Sequence, residues 1–252
     1  NTCYAATGRF GRRMDATTVP DACLAAGQGS RASADEGLEA IASLAQGAGA
    51  FNLGVFGGTF DPIHQGHLAC AEMARDACGL DRVLFVVGPR PWMKQQQRLA
   101  DAGMRLEMCR LAVAGNPAFE ASSLELERPG VTYTSDTLRI LRGVLPGSVR
   151  LFFVIGADSL ETLPGWRDAD ALASLATFVC VTRPGRPDDE RLLERARARG
   201  FRVEWVDAPL LDISSSEVRR RVSEGKSVRY LVPDAVLDRI EEDGLYAGGE
   251  DG

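Results

Sequence analysis

His64 and His67 are the two histidines in a chain of 252 residues. They sit three apart in the run Gly54-Val-Phe-Gly57-Gly58-Thr59-Phe60-Asp61-Pro62-Ile-His64-Gln-Gly66-His67-Leu68. Imidazole chemistry is therefore confined to one place. Lysine is as scarce: Lys94 and Lys226 are the two, and arginine supplies the other 27 of 29 basic side chains. The run reads as strand, glycine-rich loop and helix. Adjacent glycines let backbone amides approach a ligand closely. The helix start near His67 offers unpaired amides and a positive dipole end. Two histidines three apart across that start can face one point. Together these features form a cradle for phosphate oxygens. A zinc pair would need a third ligand, and none is indicated nearby. The run is neither a G-x-G-x-x-G fingerprint nor a P-loop.

Such a turn needs a sheet to hold it, and the flanking sequence supplies one. Asn52–Phe56, Val83–Val87, Phe119–Leu126, Arg150–Ile155, Thr177–Thr182 and Arg202–Val206 read as strands. Helices are expected at His67–Cys78, stopped by Gly79, and from an Asp101 cap to Ala114. Others are expected at Ser135–Leu145, Asp168–Leu175 and Asp189–Arg199. Ser214–Glu224 starts with Ser214 and Glu217 as a capping box. A last helix starts at Pro233 and ends at Gly244. Alternating strands and helices predict an α/β fold, a doubly wound parallel sheet with a small C-terminal helical part. Ligands of such sheets bind beyond the strand C-termini, where strand order reverses.

The remaining composition narrows the class. Net charge is −6 with 45% hydrophobic and 25% charged residues, ordinary for a soluble globule and against a general nucleic-acid binder. No apolar stretch is long enough for a membrane span, and no signal-peptide pattern is present. A cytoplasmic protein without nucleic-acid or membrane partners is expected. The six cysteines show no C-x-x-C spacing and read as reduced thiols. Residues 1–50 are rich in Ala and Gly and poor in large aliphatics, so they are expected to form a mobile extension ahead of a catalytic domain at 51–252. Leu38, Ile41, Leu44 and Ala45 have helical spacing, which allows a short helix around 34–46.

Further motifs follow in order. Gly57-Gly-Thr-Phe-Asp-Pro-Ile-His64-x-Gly-His67-Leu resembles the signature of the nucleotidyltransferase superfamily with a (T/H)xGH motif. Within it the chain resembles the bacterial nicotinate-nucleotide adenylyltransferase family, from Leu53 to Tyr246. Pro91-Trp-Met-Lys94 is similar to that family's P-P-H-K segment, with Trp92 and Met93 in place of Pro and His. Met104–Met108 resembles its arginine-containing helix, and Thr132-Tyr-Thr134 with Asp136-Thr-Leu138 resembles S-Y-T-x-x-T-L. Ile155-Gly-Ala-Asp158 with Pro164-Gly-Trp166, Val181-Thr-Arg183-Pro-Gly185, Ile213-Ser214-Ser215-Ser-Glu-Val-Arg219, Tyr230-Leu-Val-Pro233 and Gly244-Leu-Tyr246 complete the series.

The resemblance implies a Rossmann-like nucleotidyltransferase that joins ATP to nicotinate mononucleotide, giving nicotinate adenine dinucleotide and pyrophosphate in NAD biosynthesis. It implies His64, His67, Lys94 and Arg219 as catalytic residues. Gly57, Gly58, Thr59, Phe60, Arg183, Ser214 and Ser215 would bind ATP. Thr134, Asp158, Trp166 and Arg167 would bind the mononucleotide, with Trp166 stacked on the pyridine ring. Mg2+ would accompany ATP, with no metal held by the protein alone, and a homo-oligomer remains open. The chemistry agrees. A phosphate monoester is mostly dianionic at pH 7, its second pKa being about 6, so the attacking group needs no general base. The reaction needs alignment and charge cancellation. Alternatives are a nicotinamide mononucleotide or phosphopantetheine adenylyltransferase, a cytidylyltransferase, or a non-catalytic nucleotide-binding protein of the same fold. A class I aminoacyl-tRNA synthetase fragment would need a K-M-S-K-S segment, which is absent.

Overall fold

A computed structural model describes residues 35–89, 99–128, 130–182, 189–209 and 211–248. Its centre is a six-stranded sheet of β1 (Phe51–Gly58), β2 (Arg82–Val87), β3 (Phe119–Ser122), β4 (Val149–Gly156), β5 (Thr177–Thr182) and β6 (Val203–Asp207). The spatial order is β3-β2-β1-β4-β5-β6 and every pairing is parallel. The chain works outward from β1 to one edge, then crosses back to β4 and works to the other. The order therefore reverses between β1 and β4, which leaves a crevice beyond their C-terminal ends.

Two apolar layers cover the sheet, because alternate strand residues point to opposite faces. Leu53, Val55, Leu84, Val86, Leu151, Phe153, Ile155, Phe178 and Cys180 face one layer. It is closed by α1 (Glu36–Ala45), α4 (Thr134–Val144), α6 (Ala169–Leu175) and α7 (Asp189–Ala198). Phe56, Val83, Phe85, Val87, Val154, Val179 and Val181 face the other. That layer is closed by α2 (Gln65–Cys78), α3 (Ala102–Val113), α8 (Ser215–Ser223) and α9 (Asp234–Glu242). A short helix α5 (Ala157–Thr162) and a 3-10 turn (Leu163–Gly165) follow β4 and lie outside the predicted elements.

Four local expectations are adjusted. The body of the fold begins at Asp35 rather than Phe51, since α1 packs onto the sheet with Ile41 and Ala45 fully buried. Its aliphatic stripe is short, but Gly37 lets the helix backbone lie against β3: a Cβ there would meet the Ala121 carbonyl oxygen. Strand β3 stops at Ser122, four residues early, because Leu126 N–H turns back to the Ser123 carbonyl (2.6 Å) and Ser123 Oγ bonds Glu127 (2.8 Å). Helix α2 begins at Gln65, with His64 as its N-cap. Ser214 Oγ accepts from Glu217 N–H (3.2 Å), but the Glu217 carboxylate is turned to Arg220 (2.7 and 2.9 Å) instead of back to the cap.

Candidate active site

The β1–α2 turn lies at the reversal of strand order. After Gly58 the backbone enters the left-handed region at Phe60 (φ 47°) and passes through a cis Asp61–Pro62 bond. The Phe60 ring folds over Gly58, where a Cβ would lie 2.8 Å from it, so glycine is needed for this approach. Phe60 then packs edge-to-face on His67 (5.1 Å between centroids) and on Phe56 (5.8 Å). Its side chain is buried, which restricts any nucleotide contact by Phe60 to the backbone.

The histidines meet as the spacing predicts. Their rings stack with centroids 3.6 Å apart and planes 20° apart. The His64 backbone N–H donates to His67 Nδ1 (3.2 Å). A neutral imidazole that accepts at Nδ1 carries its proton on Nε2. Burial lowers the His64 pKa to about 4. Burial, then the neighbouring His64, lowers that of His67 as well. Both rings are thus neutral at pH 7, and His67 is oriented as a hydrogen-bond donor. Positive charge near the turn comes from arginine.

Two arginines, Arg105 buried and Arg219 partly buried, hold the turn. Arg219, on α8, donates from Nη1 to the Asp61 carbonyl (2.6 Å) and lies 3.6 Å from its carboxylate. Beside it, Ser215 Oγ donates to the Pro62 carbonyl (2.9 Å). These contacts bring the N-terminus of α8 to that of α2, so Ser214, Ser215 and Arg219 join the histidines. Arg105, on α3 and 1% exposed, donates to the carbonyls of Thr59 (2.6 Å) and Gly88 (2.7 Å), tying together the loops after β1 and β2. Asp61 is itself buried. Its Oδ1 accepts from Ala100 N–H (3.0 Å) and from the Tyr246 hydroxyl (2.7 Å). Burial, then the Asp61 charge, raises the Tyr246 pKa, so the phenol stays protonated as a donor.

Across the crevice, Phe153 on β4 connects the two halves. Its ring end would lie 3.5 Å from a Cβ at Gly57, and it meets the Trp166 ring edge-on at 6.3 Å. Trp166 is half-buried, with Nε1–H bonded to Thr162 Oγ1 (3.2 Å). The Arg167 guanidinium lies 4.3 Å above the Tyr133 ring. Tyr133 is the N-cap of α4 and Thr134 its first residue. Thr134, Trp166 and Arg167 thus gather on one side. Asp158 is exposed in the first turn of α5, beyond the end of β4, with Gly156 as the N-cap. Lys94, with Pro91, Trp92 and Met93, lies outside the described residues, as does Arg183.

Sequence reasoning assigned no role to Asp61, Arg105, Tyr246 or Glu125. For Arg105 a signal exists: with Met108 and Cys109 it has i, i+3, i+4 spacing, which places it on the buried face of α3. For Asp61 and Tyr246 none exists, since 185 positions separate them. Among the described residues no three His, Cys, Asp or Glu side chains converge as a metal site, and no helix is long and apolar enough to cross a membrane.

Comparison with known proteins agrees with this arrangement. Residues 55–221 match the model of the cytidylyltransferase-like family. A probable nicotinate-nucleotide adenylyltransferase of Thermus thermophilus is 48% identical over 194 residues, which are 77% of this chain and 98% of the relative. One from a Roseiflexus species is 46% identical over 195 residues, 77% of this chain and 97% of the relative. Among solved structures, Plasmodium falciparum nicotinic acid mononucleotide adenylyltransferase complexed with NaAD is similar in fold. It has a TM-score of 0.63 at 20% identity, covering 78% of this chain and 97% of that one.

Proposed function

The chain belongs to the cytidylyltransferase-like family, and on that premise we propose that it transfers the adenylyl group of ATP to nicotinate mononucleotide, releasing pyrophosphate. The observation that carries this reading is the convergence of two helix N-termini, α2 and α8, on one glycine-rich turn at the reversal of strand order. An aromatic and polar half lies opposite. One half suits a triphosphate, the other a mononucleotide. The nearly full-length match to relatives of that name supports the choice of substrates.

In the proposed reaction an oxygen of the mononucleotide phosphate forms a bond to the α-phosphorus of ATP. The bond from that phosphorus to the bridging oxygen breaks, and pyrophosphate leaves with the electron pair. The nucleophile is already a dianion, so no side chain need take its proton. Developing charge falls on the α-phosphoryl oxygens and on the leaving bridge. His67 Nε2–H and the positive end of the α2 dipole serve the former, and the first amides of α8 with Arg219 serve the β- and γ-phosphates. Gly57, Gly58 and Thr59 supply backbone contacts to phosphate. Lys94 and Arg183 are proposed to add a mobile cation and an adenine contact.

Trp166 is proposed to stack on the pyridine ring and Asp158 to bind ribose hydroxyls. Thr134 and the backbone near Arg167 would receive the nicotinate carboxylate. Magnesium would enter with ATP as its counter-ion and supply charge cancellation there; the Asp61 carboxylate on the turn is engaged by Ala100 N–H, Tyr246 and Arg219. The test is pyrophosphate release from ATP by the purified protein, with and without each mononucleotide. Release that requires the mononucleotide, with kcat/KM higher for the acid than for the amide, is expected. No release with either form refutes the reading.

A further inference from the structure

We propose that Glu125 is a positioning residue for the mononucleotide, an inference that rests on the function proposed above. Glu125 lies between β3 and α4 and is 4% exposed. Its Oε2 accepts from Thr132 Oγ1 (3.1 Å) and its Oε1 from Thr137 Oγ1 (2.6 Å). These threonines bracket the start of α4. Thr132 precedes the N-cap Tyr133, and Thr137 lies one turn inside the helix. One carboxylate thus holds the chain on both sides of the point where the helix begins.

Burying a carboxylate is unfavourable unless it is well paired, so such a group is a poor device for stability alone. What it fixes here is geometry. Hydrogen bonds to an ionised acceptor are shorter and about twice as strong as neutral ones. They set where Tyr133 stands and where the first amides of α4 point, amides that have no partner within the helix. Tyr133 carries the Arg167 guanidinium on its ring, and Thr134 follows it. Glu125 therefore touches no substrate, but it holds Tyr133, Thr134 and, through the ring, Arg167. The outer end of the same segment is also fixed. Ser122 Oγ accepts from Leu124 N–H (3.2 Å) and donates to the Asp35 carboxylate at the cap of α1. The described bonds of Glu125 join the segment after β3 to the start of α4, on the side of Tyr133, Thr134 and Arg167, so their loss is expected to act on the mononucleotide.

Two-substrate steady-state kinetics with ATP and nicotinate mononucleotide test this in the wild type, Glu125→Ala, Glu125→Gln and Thr132→Val. Glu125→Ala is expected to raise KM for the mononucleotide about tenfold or more, with KM for ATP within about twofold. Glu125→Gln, which keeps one acceptor and the shape, should recover most of that loss. Thr132→Val removes a single hydroxyl, so the test holds even if Glu125→Ala fails to fold; it should raise the mononucleotide KM about threefold. Parallel rises in both KM values, or a mononucleotide KM unchanged in Thr132→Val, would overturn the positioning role alone. Absence of turnover in the wild type would overturn both this inference and the proposed function.

Discussion

Arg219 grips Asp61 twice: its Nη1 donates to the backbone carbonyl at 2.6 Å and stands 3.6 Å from the carboxylate of the same residue. Its Nη2 also donates to Ser216 Oγ (3.3 Å), so the planar guanidinium serves two acceptors from one fixed fork, which an ammonium lacks. The pair locks the β1–α2 turn to α8, so that two helix N-termini converge on one point. Arg219→Lys keeps the charge and loses the fork. It is expected to lower kcat/KM for ATP about 30-fold, or about 2 kcal/mol of barrier. Steady-state kinetics check this. Wild-type kcat/KM in the variant would show that charge alone suffices.

His67→Ala separates donor from scaffold. Removal of one preorganised donor to a developing oxyanion lowers kcat about 100- to 1000-fold in comparable sites, and that loss is expected here. A smaller effect on stability, about 1 kcal/mol, should accompany it, because His67 Nδ1 also receives the His64 amide. Single-turnover rates and urea unfolding measure the two effects separately. A kcat within twofold of wild type would remove His67 from the transition state.

The imidazoles also predict how stability depends on pH. In the folded protein burial holds the His64 pKa at about 4, against its ordinary value of 6.5. Between those values the unfolded chain binds more protons, so stability falls as pH drops through 6.5. For His64 alone the loss from pH 7 to pH 5 is about 2 kcal/mol. Urea unfolding at the two pH values should show this loss in the wild type and a correspondingly smaller one in His64→Gln. Equal losses in both proteins would mean that His64 is not held neutral by burial.

Helix α1 offers a test of the fold boundary. Ile41 is fully buried between α1 and the sheet. Ile41→Ala should lower stability by about 2 to 5 kcal/mol, the usual range for a large aliphatic group removed from a core. A change below about 0.5 kcal/mol would place the helix outside the cooperative unit. The readout is the unfolding midpoint in urea.

The sheet, the order of its elements and the glycine-rich β1–α2 turn were legible in the sequence, because each rests on short-range regularity. Unbroken apolar runs mark strands covered on both faces, and caps and glycines mark helix ends. The histidine pair needs only three-residue spacing to meet, and it does meet. Helix α1 was visible as periodicity, yet the segment around it read as an extension. Its burial depends on Gly37 lying against β3, which no composition count reveals.

What tertiary structure alone decided is the charge state of the site and the means by which it is held. Neither histidine is marked as neutral by its neighbours in sequence; desolvation by packed rings makes it so. Arg219 and Tyr246 stand 158 and 185 positions from Asp61, and only the closing of α8 and the C-terminal segment over the sheet brings them together. Local sequence specifies which group can donate and which can accept. The burial that sets protonation, and the pairing of groups far apart in the chain, come from the whole fold.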